Sequence, residues 1–278
     1  MELTLQSKIA LANGVEMPRL GLGTYKSAEG REVGDAVCAA LEYGYRSIDT
    51  ASLYGNEHGI GEALRVSGVS REDVFVTSKV WNDEQGYAET LAALDRSLEC
   101  LGTSYLDLYL VHWPIKSTLA PTWRAMEEAL ASGKVRAIGV CNFLRHHLEA
   151  LLEIAEVAPM VDQFECHPFL QQPDLRCFCQ AHGVVVEAWA PLMRGRANDV
   201  PVLVEIGAAH DATAPQVALR WLLQHDVVVI PKSVQADRIR ENIEALGFEL
   251  TVGEMATIDG LDRGERFGRD PDELAWDS

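Results

Sequence analysis

Residues 44–57 have the sequence Gly-Tyr-Arg-Ser-Ile-Asp-Thr-Ala-Ser-Leu-Tyr-Gly-Asn-Glu, and this stretch decides the fold. An apolar run over residues 45–50 carries Asp49 near its end, and a loop that contains Tyr54 leads into an amphipathic segment. The amphipathic segment before the run stops at Gly44, a residue type that helix C-termini favour. The stretch therefore predicts a helix, a buried strand and a second helix, with polar groups at the carboxyl end of the strand.

The same alternation continues through the chain. The predicted barrel strands are residues 20–25, 45–50, 74–80, 106–113, 135–142, 160–167, 184–191 and 227–232. The predicted helices are residues 32–42, 57–66, 88–100, 123–131, 145–155, 174–181, 215–225 and 237–246. Several of them are expected to end at a glycine, namely Gly44, Gly68, Gly102, Gly133 and Gly183. This pattern predicts an α/β protein with one domain over residues 1–278, a (β/α)8 TIM barrel preceded by an N-terminal β-hairpin with an Asn13-Gly14 turn.

A doubly wound sheet is the main alternative architecture. Its nucleotide-binding fingerprint is G-x-G-x-x-G at the first turn from strand to helix. The segment from Gly21 to Lys26 has two of these glycines and lacks the third. The sequence also has no P-loop and no Tyr followed four residues later by Lys, so the barrel is the better interpretation.

Four ionisable residues lie at or just after the ends of successive predicted strands: Asp49, Tyr54, Lys79 and His112. In a barrel the carboxyl ends of the strands meet at one face, so we expect the four side chains to converge. An ammonium on Lys79 would lower the pKa of the Tyr54 phenol from about 10 towards the working pH. Each residue alone also fits a structural role, as a cap, a packed ring or a solvated charge. Together they predict a proton donor beside a polarising group, which is the chemistry of carbonyl reduction.

The composition excludes several classes of partner. The net charge of −18 argues against binding to nucleic acid or to an anionic membrane. The six cysteines have no zinc-site spacing, so we expect reduced thiols, a cytoplasmic protein and no metal. No apolar run approaches the roughly 18 residues of a membrane span, and no secretion signal is apparent at the N-terminus. We expect a monomer that acts on a small-molecule carbonyl substrate.

The motifs in combination resemble the aldo-keto reductase superfamily along nearly the whole chain, and within it the short bacterial 2,5-diketo-D-gluconate reductase type. The resemblance is carried by LGLGTY (20–25), GYRSIDTASLYGNE (44–57), SKVWN (78–82), DLYLVHWP (107–114), GKVRAIGVCNF (133–143), QFECHP (163–168) and IPKSV (230–234). The resemblance implies a (β/α)8 barrel that reduces aldehydes and ketones with NADPH.

The resemblance also implies roles for individual residues. It gives the catalytic tetrad as Asp49, Tyr54, Lys79 and His112, with Tyr54 as the acid. The implied cofactor contacts are Cys141, Asn142 and Gln163 at the carboxamide, Trp189 stacked on the nicotinamide, Leu192 and Val234 nearby, Lys232, Ser233 and Arg238 at the 2′-phosphate, and Glu241 and Asn242 at the adenine. The implied substrate contacts are Tyr25, Trp81, His112 and Trp113. Two residues depart from the family pattern: Cys141 stands where the family often has Ser, and Ala190 stands where Ser or Gly is common.

Two other functions use the same residues. The first is a redox-sensing regulatory subunit that keeps the tetrad, binds NADPH and turns over slowly. The second is a Schiff-base aldolase, which needs a neutral Lys79 as the nucleophile. A nearby Asp49 argues against the aldolase, because it would hold Lys79 in the charged form.

Overall fold

The computed structural model describes residues 3–273 and Trp276. Its strands are β1 Lys8–Ala10, β2 Glu16–Pro18, β3 Leu22–Gly23, β4 Ser47–Asp49, β5 Phe75–Val80, β6 Leu108–Val111, β7 Ile138–Cys141, β8 Val161–Glu165, β9 Val185–Trp189 and β10 Val228–Val229. Its α-helices are α1 Arg31–Glu42, α2 Glu57–Val66, α3 Tyr87–Leu101, α4 Leu119–Ala131, α5 Arg145–Leu152, α6 Pro173–Ala181, α7 Pro201–Ala209, α8 Ala214–Gln224, α9 Ala236–Ile243 and α10 Val252–Asp259.

Strands β3 to β10 pair in parallel and in chain order, and the sheet closes on itself. Parallel bridges join Leu20 to Val229 and Gly23 to Lys232, across the seam between the first and last strands. Strands β1 and β2 form the antiparallel hairpin. The predicted (β/α)8 barrel and its N-terminal hairpin are therefore confirmed.

The seam depends on glycine because the two backbones approach closely there. A Cβ atom on Gly23 would lie 2.7 Å from the carbonyl oxygen of Ile230, a distance that real Cβ atoms do not show. The backbone N–H of Gly21 donates to the carbonyl of Val229 at 2.9 Å and completes the ladder. A larger residue at position 23 would push the first strand away and open the barrel.

The barrel interior is apolar at its base and polar near the carboxyl ends of the strands. Asp49, Lys79, Gln163 and Glu187 are almost completely buried there and are joined by hydrogen bonds. Buried polar groups are tolerated when their hydrogen-bonding capacity is used. This layer therefore marks the polar end of the barrel interior.

The list of helices predicted from the sequence omitted α7 and α10. Helix α7 is apolar on most sides, so its sequence carries no clear amphipathic stripe. Helix α10 begins with a capping box, in which Thr251 and Glu254 bond each other's backbone N–H groups at 2.7 and 3.2 Å.

The five glycines expected to end helices all have positive φ, which is the conformation that helix C-termini favour. None of the helices in the described residues is long and apolar enough to span a membrane.

Candidate active site

The carboxyl ends of β4 and β5 place Asp49 and Lys79 side by side inside the barrel. Lys79 Nζ lies 2.8 Å from both carboxylate oxygens of Asp49 and 2.8 Å from the carbonyl oxygen of Thr50. Tyr54, on a short 3₁₀ turn over residues 52–54, has its hydroxyl 3.4 Å from Lys79 Nζ. The structure thus brings the acid candidate and the cation together, as the strand-end positions suggested.

Lys79 is held in its charged form. Its side chain is fully buried, and burial alone would lower its pKa, but Asp49 and Tyr54 raise it above the ordinary value for lysine. An ammonium with three acceptors at hydrogen-bonding distance has no free electron pair. A Schiff-base mechanism at Lys79 is therefore disfavoured by the geometry.

The pKa of Tyr54 corrects one expectation from the sequence. Burial raises the pKa of the phenol above its usual value, and the lowering by Lys79 is smaller than this effect. Asp49 raises it further. The expectation of a phenol poised near neutral pH considered Lys79 and omitted desolvation. Tyr54 is therefore a protonated phenol throughout the neutral range, which is the state that a proton donor requires.

His112, at the end of β6, is a neutral imidazole. Burial, with the charge of Lys79, lowers its pKa well below the usual value. Its ring centroid lies 5.8 Å from that of Tyr54 and 5.0 Å from that of Trp81, in edge-to-face arrangements. A neutral ring in this position can donate a hydrogen bond to a substrate oxygen without carrying a charge.

Aromatic side chains surround the mouth above these residues. The ring of Tyr25 lies 5.0 Å from that of Tyr54 and is 48% exposed. Trp81 and Trp113 are half-buried, and the carbonyl of Trp113 accepts a hydrogen bond from Gln85 at 2.8 Å. The rings of Tyr25 and Trp81 therefore lie beside the tetrad, and Trp113 follows His112 in the chain.

The side chains of Asn142 and Trp189 are joined by a hydrogen bond. The indole N–H of Trp189 donates to Asn142 Oδ1 at 2.8 Å, and Asn142 Nδ2 donates to the carbonyl of His112 at 3.0 Å. Asn142 has a φ of 64°, in the left-handed region that asparagine tolerates better than most residues. Its amide is thereby fixed in orientation, and the indole of Trp189 remains partly exposed.

Glu187 was missed by the sequence reasoning. Gln163 Nε2 donates both to Asp49 Oδ2 at 2.8 Å and to Glu187 Oε2 at 2.7 Å, so the amide links the two carboxyl groups. The Gln163 oxygen faces the Cys141 thiol at 3.5 Å. Burial, with Asp49 nearby, raises the pKa of Glu187 to about 8. An acidic residue inside the apolar run 184–191 was the available signal.

The outer cofactor candidates cluster after β10. Lys232, Arg238 and Glu241 are exposed, Ser233 and Asn242 are buried, and Leu192 and Val234 are half-buried. Within the described residues neither Lys232 nor Arg238 forms an ion pair. The Ser233 hydroxyl accepts the backbone N–H of Gln235 at 3.1 Å, directly before α9. Two unpaired cations beside a helix N-terminus suit an anionic phosphate.

One group of possible metal ligands lies elsewhere in the described chain, at His146, His147 and Asp272. Nδ1 of His147 accepts the backbone N–H of Leu144 at 3.0 Å, so the neutral ring carries its proton on Nε2, the atom that faces Asp272. Burial and His146 lower the pKa of His147 to about 3. Metal ligation through Nε2 would require removal of that proton, so this tautomer does not favour a metal site at the three residues.

Comparison with known proteins shows which family the chain matches. Residues 19–263 match the family model described as "Aldo/keto reductase family". The chain is 52% identical over 276 residues to a protein named glyoxal reductase from Bacillus subtilis (strain 168), covering 99% of this chain and 100% of that one. It is 49% identical over 269 residues to a 9,11-endoperoxide prostaglandin H2 reductase from Trypanosoma cruzi (strain CL Brener), covering 96% and 95%. A crystal structure of a Gox0644 variant in complex with NADPH has a TM-score of 0.91 at 41% identity, covering 96% of this chain and 98% of that one.

Proposed function

The chain belongs to the aldo/keto reductase family, and from this premise we propose that it reduces the carbonyl groups of aldehydes or ketones to alcohols with NADPH, with Tyr54 as the proton donor. The observation that carries the proposal is the contact of Lys79 Nζ with the Tyr54 hydroxyl at 3.4 Å, on a lysine held charged by Asp49. This arrangement favours departure of the phenolic proton only when a negative charge develops nearby, as in carbonyl reduction.

NADPH suits the residues around the barrel mouth. The partly exposed indole of Trp189 is a flat surface for the nicotinamide, and Lys232 with Arg238 can hold the 2′-phosphate. We assign Asn142 and Gln163 to the carboxamide, with Cys141 beside them. The remaining proposed contacts are Leu192, Ser233, Val234, Glu241 and Asn242. When bound, NADPH supplies the hydride.

The protein's own residues handle the oxygen of the substrate. Neutral His112 donates a hydrogen bond to the carbonyl oxygen and holds it beside Tyr54. The Tyr54 hydroxyl gives its proton to this oxygen as negative charge builds on it. Lys79 stabilises the resulting phenolate through its ammonium group, and Asp49 keeps that ammonium in place.

Tyr54→Phe tests the role of the phenol. We expect kcat to fall about 10²–10⁴-fold, because a positioned general acid contributes that much. The Kd for NADPH should change little, because the Tyr54 hydroxyl contacts Lys79, at 3.4 Å, and is not among the proposed cofactor contacts. Tyr43→Phe is the matched control, since it removes a hydroxyl at the end of α1, outside the proposed site, and it should keep most of the activity. A Tyr54→Phe variant that retains more than a tenth of kcat would disprove the assignment.

The aromatic mouth favours small carbonyl compounds with some apolar surface. Tyr25, Trp81 and Trp113 offer ring faces, and the relatives' names range from a two-carbon dialdehyde to a prostaglandin. We propose small aldehydes and ketones as substrates of a cytoplasmic monomer. Loss of NADPH absorbance with a panel of aldehydes, ketones and keto acids tests the class. No turnover with any of them would contradict it, and size-exclusion chromatography tests the monomer.

A further inference from the structure

The segment over residues 263–270 crosses the carboxyl ends of β8 and β9 and is anchored there by a buried carboxylate. Glu165, the last residue of β8, is 1% exposed. Its Oε1 accepts the backbone N–H of Phe267 at 2.7 Å, and its Oε2 accepts that of Gly268 at 2.9 Å. His167 Nε2 lies 3.0 Å from Oε1 and donates a third hydrogen bond. Burial opposes the charge, but these donors lower the pKa of Glu165, so the anchor is an anion.

The anchored segment presses against the indole of Trp189. A Cβ atom on Gly268 would lie 2.3 Å from Trp189 Cη2, 3.0 Å from Glu165 Oε2 and 3.2 Å from Trp189 Cζ2. Trp189 is also the ladder partner of Glu165, in the register between β8 and β9. The benzene edge of the indole therefore abuts the Gly268 backbone, while its N–H is bonded to Asn142 Oδ1. Both ends of the ring system are fixed.

A second set of contacts holds the same segment from the outside. The ring of Phe267 stacks on His167 at 4.8 Å between centroids, and the guanidinium of Arg196 lies 4.7 Å from the Phe267 centroid. Arg196 also pairs with Glu265 at 3.6 Å. The segment is thus joined both to the barrel and to the loop after β9.

We propose that Glu165 and Gly268 are positioning residues for Trp189, and that they set the plane on which the nicotinamide ring rests. The inference rests on the proposed function, which assigns that ring to Trp189. Gly268 allows the segment to approach the indole, and Glu165 holds the segment at that distance through two backbone N–H groups. Neither residue takes part in the proton transfer.

Gly268 is suited to a sharp test because its backbone does not require glycine. Its φ lies outside the positive range, so alanine can adopt the same conformation. Gly268→Ala therefore adds one methyl group that clashes with the indole edge, whereas its weaker contact with Glu165 Oε2 at 3.0 Å stays when Trp189 is replaced. Gly260→Ala is the matched control, since its φ is −69° and its nearest neighbour, the carbonyl of Thr257, is 3.4 Å from the added atom.

The first measurement uses the cofactor-free protein. The near-ultraviolet circular dichroism of Gly268→Ala should differ from that of the parent, because the indole of Trp189 must move or rotate. In a Trp189→Phe background, which removes the outer ring atoms, the same substitution should cause little change. Unchanged spectra for Gly268→Ala in the parent background would overturn the positioning proposal, whatever the role of Trp189 in cofactor binding.

The second measurement is the Kd for NADPH from a fluorescence titration. We expect Gly268→Ala to weaken binding by about tenfold or more, Glu165→Gln to weaken it less, and Gly260→Ala to leave it unchanged. The effect of Gly268→Ala should largely disappear in the Trp189→Phe background, as coupled neighbours behave in a double-mutant cycle. Equal additive losses in both backgrounds would refute the coupling. An unchanged Kd in Trp189→Ala alone, which has no ring to stack, would instead refute the stacking role in the proposed function.

Discussion

Lys79→Met removes a buried cation and leaves most of the side-chain volume in place. The change deletes two hydrogen bonds to Asp49 and one to the carbonyl of Thr50, all at 2.8 Å. Asp49 is then left with the Gln163 amide as its side-chain donor. Removing one member of a buried ion pair costs about 3–5 kcal/mol, because the other charge stays buried without its partner.

Equilibrium unfolding in urea measures this cost. A domain of this kind has a free energy of unfolding of roughly 5–15 kcal/mol, so we expect Lys79→Met to remain folded with a clearly lower midpoint. Adding Asp49→Asn should restore a large part of the loss, since the unpaired charge is then gone. A cost below about 1 kcal/mol for the single variant, or a double variant with no recovery, would refute the account of the pair.

The same variant separates stability from catalysis. Lys79 lowers the pKa of Tyr54 against the opposing effect of burial, so its loss should raise the Tyr54 pKa further. We expect kcat/KM to fall severely and the alkaline limb of its pH profile to move upward. The double variant should recover stability without recovering activity. An unchanged pH profile in folded Lys79→Met protein would contradict the coupling between the lysine and the phenol.

Three further outcomes are expected. Combining Lys232→Gly with Arg238→His should raise the KM for NADPH on the order of 10²-fold, because each charged hydrogen bond to the 2′-phosphate contributes about 1.5–3 kcal/mol. The KM for NADH should change little. Equal kcat/KM for the two cofactors in the parent protein would contradict this prediction. Glu187→Gln should stabilise the protein more at pH 8 than at pH 5 in urea unfolding. The folded pKa of Glu187 is raised to about 8, so between the ordinary glutamate pKa of about 4.3 and that value the folded state holds a proton that the unfolded chain has released. The parent protein therefore loses stability as the pH rises through this range. Asp107→Asn should lower the free energy of unfolding by about 2–4 kcal/mol, since this buried carboxylate accepts from Arg71 at 2.8 Å and Arg136 at 2.6 Å; a smaller loss than that of an exposed Asp→Asn change would contradict it.

The order of elements could be predicted from the sequence because the buried strands and the glycine-ended helices repeat regularly. The ends of the strands could not be predicted well. The predicted run 45–50 contains a strand of only three residues, Ser47–Asp49, although hydrogen bonds to the next strand continue on both sides of it: the backbone N–H of Phe75 donates to the carbonyl of Arg46 at 2.8 Å, and that of Thr50 donates to the carbonyl of Thr77 at 2.9 Å. The run of residues predicted as a strand and the strand in the structure therefore coincide only in part. Helix α7 escaped prediction because it is apolar on most sides.

Those features of the candidate site that follow from the order of the strands could be predicted from the sequence. Those that depend on burial, or on contacts between residues far apart in the chain, could not. Asp49 and Lys79 end neighbouring strands, so their meeting follows from the topology. The raised pKa of Tyr54 depends on how much water the fold excludes, which no local pattern encodes. The approach of Gly268 to Trp189 joins residues far apart in the chain. A lone glycine near the C-terminus carries no sign of such a contact.

The polar layer of the barrel also explains why a strongly acidic protein can stabilise a phenolate. Asp49 has a cation and an amide donor, whereas Glu187 has the Gln163 amide alone and one buried oxygen without a partner. The carboxyl group with fewer donors keeps its proton near neutral pH, in line with its raised pKa. Asp49 and Lys79 then balance each other, so these two groups and Glu187 together carry no net charge. In the proposed mechanism, the negative charge that develops on Tyr54 therefore meets the Lys79 ammonium without opposition from Glu187.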